Sequence, residues 1–192
     1  TLRRNFLTGT TKSYEWRIKQ LKQLQALIQE NRHRIEDALE SDLRQTRFMK
    51  ANEIQGPLSE CQYALSNLKQ WMKPQQVTVH GLMNQPAKAY KIREPYGTVL
   101  LISPWNYPIS LVLKPLVGAL AAGNNVVIKP SEVAPACSAM FADLIPRYLD
   151  QEHVRVVEGA VAETTQLLKP RFDHIMYTGN TAVGKIVMRA AS

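Results

Sequence analysis

Three short stretches combine residue types and spacings that can do chemistry. The first reads Gly179-Asn180-Thr181-Ala182-Val183-Gly184-Lys185, after a strand-like run and at the opening of a helical one. Glycines let a backbone approach a phosphate closely, and a helix start adds unpaired N–H groups and the positive end of a dipole. The spacing G-x4-G-K approaches that of a P-loop. A P-loop, however, needs Ser or Thr after the Lys to hold magnesium, and Ile186 stands there. That substitution argues against a nucleoside triphosphatase. The dinucleotide spacing G-x-G-x-x-G is absent, so the stretch by itself is either a phosphate cradle or a turn with structural glycines.

The second stretch is Lys129-Pro130-Ser131-Glu132. A cation and a carboxylate three residues apart at a strand end can both reach a ribose, and the carboxylate can accept from two vicinal hydroxyls. The same pattern also makes an ordinary surface ion pair. The third is Pro104-Trp105-Asn106-Tyr107-Pro108. Two prolines fix the backbone around Asn106. A rigidly held amide can donate to a developing oxyanion without reorganising, or it can satisfy turn carbonyls.

Other candidates read as structural. Cys61 sits inside an apolar helical stripe and Cys137 in a helical stretch. Two cysteines make neither a disulfide framework nor a zinc site, and they suit a reducing, cytoplasmic setting. His33, His80, His153 and His174 lack ligand spacing, so no metal is expected.

The elements that must carry these stretches change character near residue 94. Before it, helical periodicity dominates. Ile18, Leu21, Leu24 and Ile28 form one stripe, continued by Ile35 and Leu39, and Leu58, Cys61, Leu65, Leu68 and Met72 form a second. Gly56-Pro57 suits the start of that second helix. Residues 77–80 and 89–92 are strand-like and separated by turn residues, which predicts a hairpin. From residue 97 strand, turn and helix alternate, with strands over 97–102, 125–128, 154–157 and 173–177. Alternation of that kind predicts an α/β fold, a doubly wound parallel sheet with Rossmann-like but incomplete topology. Ligands of such sheets bind beyond the carboxyl ends of the strands, where each of the three stretches falls.

Composition narrows the function. The chain has 192 residues and a net charge of +8. Residues 1–96 contribute +7 of it, within helical patterns, and aromatic residues do not interleave the basic ones in any nucleic-acid-binding pattern, so a solvated helix face is expected rather than nucleic-acid binding. The first residues lack the apolar core of a signal peptide. The apolar stretch 109–122 is too short for a bilayer. A membrane-anchoring tail beyond Ser192 is compatible with the sequence.

EPYGTVLLISPWNYP, GALAAGNNVVIKPSE and FDHIMYTGNTAVGK, in this order and spacing, resemble the aldehyde dehydrogenase superfamily. Residues 1–93 resemble its class 3 branch. The resemblance implies oxidation of aldehydes to carboxylates with NAD or NADP, through attack of a cysteine thiolate. It implies that Asn106 stabilises the oxyanion and that Tyr107 lies near the substrate tunnel. Lys129 and Glu132 match positions on the adenosine ribose, and Gly159 one close to the cofactor. Gly179, Asn180, Thr181, Val183 and Gly184 match the turn beside adenine and pyrophosphate. The family's usual serine is Asn180 here. The general-base glutamate and the nucleophilic cysteine are expected beyond Ser192, so the chain alone should be inactive. The resemblance divides the chain into N-terminal helices (1–72), a bridging hairpin (73–93) that implies a homodimer, and an incomplete dinucleotide-binding domain (94–192). A non-catalytic nucleotide-binding or interaction protein is the alternative if the natural chain ends near Ser192.

Overall fold

The computed structural model describes residues 2–192, apart from the side chain of Leu82. Thr1, the first residue of the expected helical region, lies outside the described residues. The helical part comprises α1 (Leu2–Phe6), α2 (Tyr14–Glu30), α3 (Arg32–Leu43) and α4 (Arg47–Trp71). The hairpin follows as β1 (Gln75–Val77) and β2 (Ala89–Lys91). Then come β3 (Thr98–Ile102), α5 (Ser110–Ala122), β4 (Asn125–Lys129), α6 (Pro135–Tyr148), β5 (Val154–Val156), α7 (Val161–Leu167), β6 (His174–Tyr177) and α8 (Thr181–Ala191).

The four strands β3–β6 pair in parallel in the order β5-β4-β3-β6. The chain builds outward from β3 to β4 and β5, then crosses back to place β6 on the other side of β3. The reversal puts a topological switch point between β3 and β6. Alternate side chains of β3 explain why both faces are covered. Val99 and Leu101 join the cluster of α2, α3, α4, α5 and α6, whereas Leu100 and Ile102 join Val187 of α8, with Leu2 of α1 and Leu167 of α7 packed beside them. The expected doubly wound parallel sheet is present, with α2, α3 and α4 packed on one face and α1 on the other.

Two local expectations need correction. Gly56-Pro57 does not start a helix: α4 begins at Arg47, its N-cap is Thr46, and Pro57 lies buried in its interior. A proline there forfeits a helix hydrogen bond at a cost of about 3 kcal/mol. Pro57 sits on the buried stripe of α4, beside Gly56, where a Cβ would lie 2.7 Å from Lys114 Cε of α5. The hairpin strands also begin earlier than 77–80 and end before Ile92, because Gln75 pairs with Lys91 and Val77 with Ala89. Among the described residues, no helix is long and apolar enough to cross a membrane.

The core makes a direct prediction. Phe141 is fully buried among the helices on one face. Phe141→Ala should lower the unfolding free energy by about 3–5 kcal/mol, measured by urea denaturation. Lys22→Ala, on an exposed face of α2, should change it by less than about 0.5 kcal/mol.

Candidate functional site

The strand register brings the sequence candidates to one edge. Ile102 lies level with Lys129 on one side and Tyr177 on the other. The Ser103 N–H donates to the Lys129 carbonyl at 3.2 Å, the Val157 N–H to the Ile128 carbonyl at 2.9 Å, and the Thr178 N–H to the Ile102 carbonyl at 3.1 Å. Asn106, Lys129, Glu132, Gly159 and the 179–184 turn therefore all follow carboxyl ends of the same sheet.

Helix starts crowd this edge, and three of the four have a carboxylate against them. At α5, Glu53 Oε2 accepts the N–H groups of Ile109 and Ser110, each at 3.0 Å. At α6, Asp42 accepts from Ala136 at 3.0 Å and Cys137 at 2.8 Å. At α7, the Glu163 carboxylate accepts the Ala160 N–H at 2.8 Å, and backbone N–H donors hold its carboxyl below the usual range. The start of α8 differs. Its cap is the neutral Asn180, whose Oδ1 accepts from the Val183 N–H at 2.9 Å. The N–H groups of Thr181 and Ala182 meet no protein acceptor among the described residues. An anion at this edge finds free donors there and carboxylates at its neighbours.

The first glycine of the 179–184 turn also has a packing reason. The Tyr177 ring folds back beneath the turn: a Cβ on Gly179 would collide with the Tyr177 hydroxyl, whereas one on Gly184 would rest against the ring at 3.5 Å, an ordinary contact. Gly159 is required by its backbone, with φ at +140° and Glu163 alongside. The turn is thus both structural and open to a ligand, so its two sequence readings are compatible.

Lys129 is buried at the end of β4. Its Nζ donates to the Pro130 carbonyl at 2.6 Å and to Glu132 Oε2 at 3.3 Å. Its charge also reaches Glu163 on α7. Glu132 is exposed, so its carboxylate has room to leave the pair for a hydroxyl. Asn106 and Tyr107 are exposed on the turn after β3, with Trp105 beside them, and the Asn106 amide has no hydrogen-bond partner among the described residues. Val183 and Ile186 add an exposed apolar strip on α8.

Sequence reasoning missed Glu53 and Asp42. Glu53 did leave a signal: it opens the stripe Glu53, Pro57, Cys61, Ala64 and Leu68 that α4 buries. A carboxylate on an apolar stripe needs a partner.

A cleft of about 570 Å³ lies at the opposite end of the sheet, among Lys12, Arg17, Trp71, Ile92 and Glu94. Its polar groups are occupied. Lys12 pairs with Glu94 at 2.7 Å, and Arg17 donates to the Thr11 and Ala121 carbonyls. Convergent free polar groups belong to the carboxyl edge, and the candidate site is placed there.

Neither cysteine is at that edge as a nucleophile. Burial, helped by the Glu60 charge, pushes the Cys61 thiol up to about 12. Burial and then Asp42 push Cys137 up as well. Because the folded values lie above the unfolded one of about 8.5, both thiols stay neutral at pH 8 and the stability they contribute is lost only as pH rises. Iodoacetamide at pH 8 should modify neither cysteine in the folded protein and both in urea, read by peptide mass mapping.

Comparison with known proteins gives the family and the fold. The profile of the aldehyde dehydrogenase family matches residues 5–192. The chain is 47% identical over 192 residues to aldehyde dehydrogenase family 3 member B1 of Rattus norvegicus, covering 100% of this chain and 41% of that one. It is 47% identical over 191 residues to the dimeric NADP-preferring aldehyde dehydrogenase of the same organism, covering 99% and 42%. The solved substrate-bound structure of Staphylococcus aureus AldH superposes with a TM-score of 0.95 at 40% identity, covering 98% of this chain and 41% of that one. The chain thus spans about 41% of the length of such relatives.

Proposed function

The chain belongs to the aldehyde dehydrogenase family, on its class 3 branch, and from that premise we propose that it forms the dinucleotide side of an enzyme oxidising aldehydes to carboxylates. The observation that carries the reading is the carboxyl edge. Four turns meet there, three helix starts carry a carboxylate, and the fourth, α8, is capped by a neutral amide and offers free N–H groups to a pyrophosphate.

Each residue then has a task. Thr181, Ala182 and the dipole of α8 bind the pyrophosphate, while Gly179 and Gly184 keep the approach clear and Val183 packs near the adenine. Asn180 holds the turn through its cap. Lys129 and Glu132 orient the adenosine ribose, and Gly159 allows the adjacent backbone to pass close by. NAD or NADP, when bound, supplies the hydride acceptor. Asn106 donates its amide N–H to the aldehyde oxygen as negative charge develops on it, and Tyr107 walls the approach of the substrate. The thiolate and the general base are supplied by the part of the enzyme that follows this segment in the family. Medium-chain aliphatic or aromatic aldehydes are the substrate class that class 3 membership favours. The exposed hairpin β1–β2 supports a homodimer, in keeping with the dimeric relative. Two free, buried cysteines support a cytoplasmic setting.

In the full-length protein, aldehyde-dependent reduction of the nicotinamide should be measurable by absorbance. Asn106→Ala should lower kcat by about 10²–10³-fold while the KM for the dinucleotide stays within about twofold. No turnover with either aldehyde class and either dinucleotide contradicts the proposal. Cofactor choice gives a second check. Glu132 repels a 2′-phosphate, so Glu132→Gln should improve NADP relative to NAD by about five- to tenfold in kcat/KM.

A further inference from the structure

The Asn106 amide has no partner to aim it, so its direction is set by the backbone on either side. Upstream, the Ser103 N–H is held by the Lys129 carbonyl at 3.2 Å and its hydroxyl by the Leu111 carbonyl at 3.0 Å. Downstream, the N–H groups of Ile109 and Ser110 converge on one oxygen, Glu53 Oε2, each at 3.0 Å. The other carboxylate oxygen accepts from Gln45 Nε2 at 2.6 Å. Glu53 is 1% exposed, and among the described residues it forms no ion pair. A carboxylate buried without a cation is tolerable only because three N–H donors and the start of α5 replace water. The turn is therefore clamped from outside the sheet, by a side chain 56 residues earlier in sequence.

We propose that Glu53 is a positioning residue for aldehyde oxidation: it fixes the 104–108 turn and so the direction of the Asn106 amide. The inference rests on the functional reading above. An oxyanion donor contributes only when it is already aimed, and a misplacement of about 1 Å can cost a hundredfold in rate. A carboxylate that merely stabilised the fold would act on folding alone. Asp42 supplies the comparison within the same molecule. It clamps α6 in the same way, through Ala136 and Cys137, but the turn ahead of α6 does not carry Asn106.

The test is a double-mutant cycle in the full-length enzyme. Glu53→Gln keeps an acceptor oxygen for the two N–H groups and removes the charge. Gln45 Oε1, buried without a partner, can turn to receive the new amide, so the variant should fold. Glu53→Gln should lower kcat by about tenfold with the KM for the dinucleotide within about twofold. In an Asn106→Ala background the same change should lower kcat by less than about twofold. Asp42→Asn, by contrast, should change kcat by the same factor with Asn106 intact and in the Asn106→Ala background. Equal losses in both backgrounds, or no loss with Asn106 intact, overturn the inference. If Glu53→Gln fails to accumulate as folded protein, Gln45→Met must give the same coupled pattern at about two- to fivefold. Absence of that coupling overturns it equally. A wild-type enzyme that oxidises no aldehyde removes the functional reading and this inference together, whereas a competent wild type without coupling removes this inference alone.

Discussion

Two carboxylates reach out of the N-terminal helices and take the starts of the two helices that follow β3 and β4. Glu53 of α4 holds α5, and Asp42 of α3 holds α6. Each exchange is physically balanced: a negative charge, buried at Glu53 and half-buried at Asp42, is met by convergent N–H groups and by the positive end of a helix dipole. The consequences spread across the molecule. The helical part is locked to the sheet by directed bonds as well as by apolar packing. The positive helix ends nearest β3 and β4 are neutralised from within. What remains for an incoming anion is α8, whose cap is a neutral amide.

That division of labour explains why the edge can hold a dinucleotide in one orientation. Diphosphate charge is repelled from the carboxylate-capped starts and accepted at α8. The ribose pair Lys129–Glu132 lies two strands away on β4, on the other side of β3. Tyr177 links the two demands on the glycine-rich turn. Its ring needs Gly179 as a packing partner, and the same lack of a side chain leaves the backbone open above. The switch point between β3 and β6 then falls between the turn bearing Asn106 and the turn bearing Asn180, where chemistry and cofactor must meet.

Much of this was legible in the sequence. The continuous apolar run 97–102 became β3, with both faces covered, and NVVI became most of β4. The order of the motifs placed every candidate residue after a strand, and the register brings them to one edge. What local reading could not supply were partners distant along the chain. Pro57 resembles a helix start in any short window, and only packing of α4 on α5 shows why the helix runs through it. The hairpin register was missed because its strands are three residues each and exposed, so no buried face fixes their alternation. Glu53 and Asp42 were overlooked for a related reason. A carboxylate capping its own helix has a signature at fixed offset, whereas one capping a helix 56 or 94 residues later has none.

Hydrogen exchange of the full-length protein, read by mass spectrometry with and without saturating NAD, tests the central claim most directly. The account predicts added protection in peptides covering 103–109, 129–134, 157–161 and 178–185, strongest over Thr181 and Ala182. Protection confined to peptides around Trp71 and 92–95, bordering the cleft at the other end of the sheet, would contradict it.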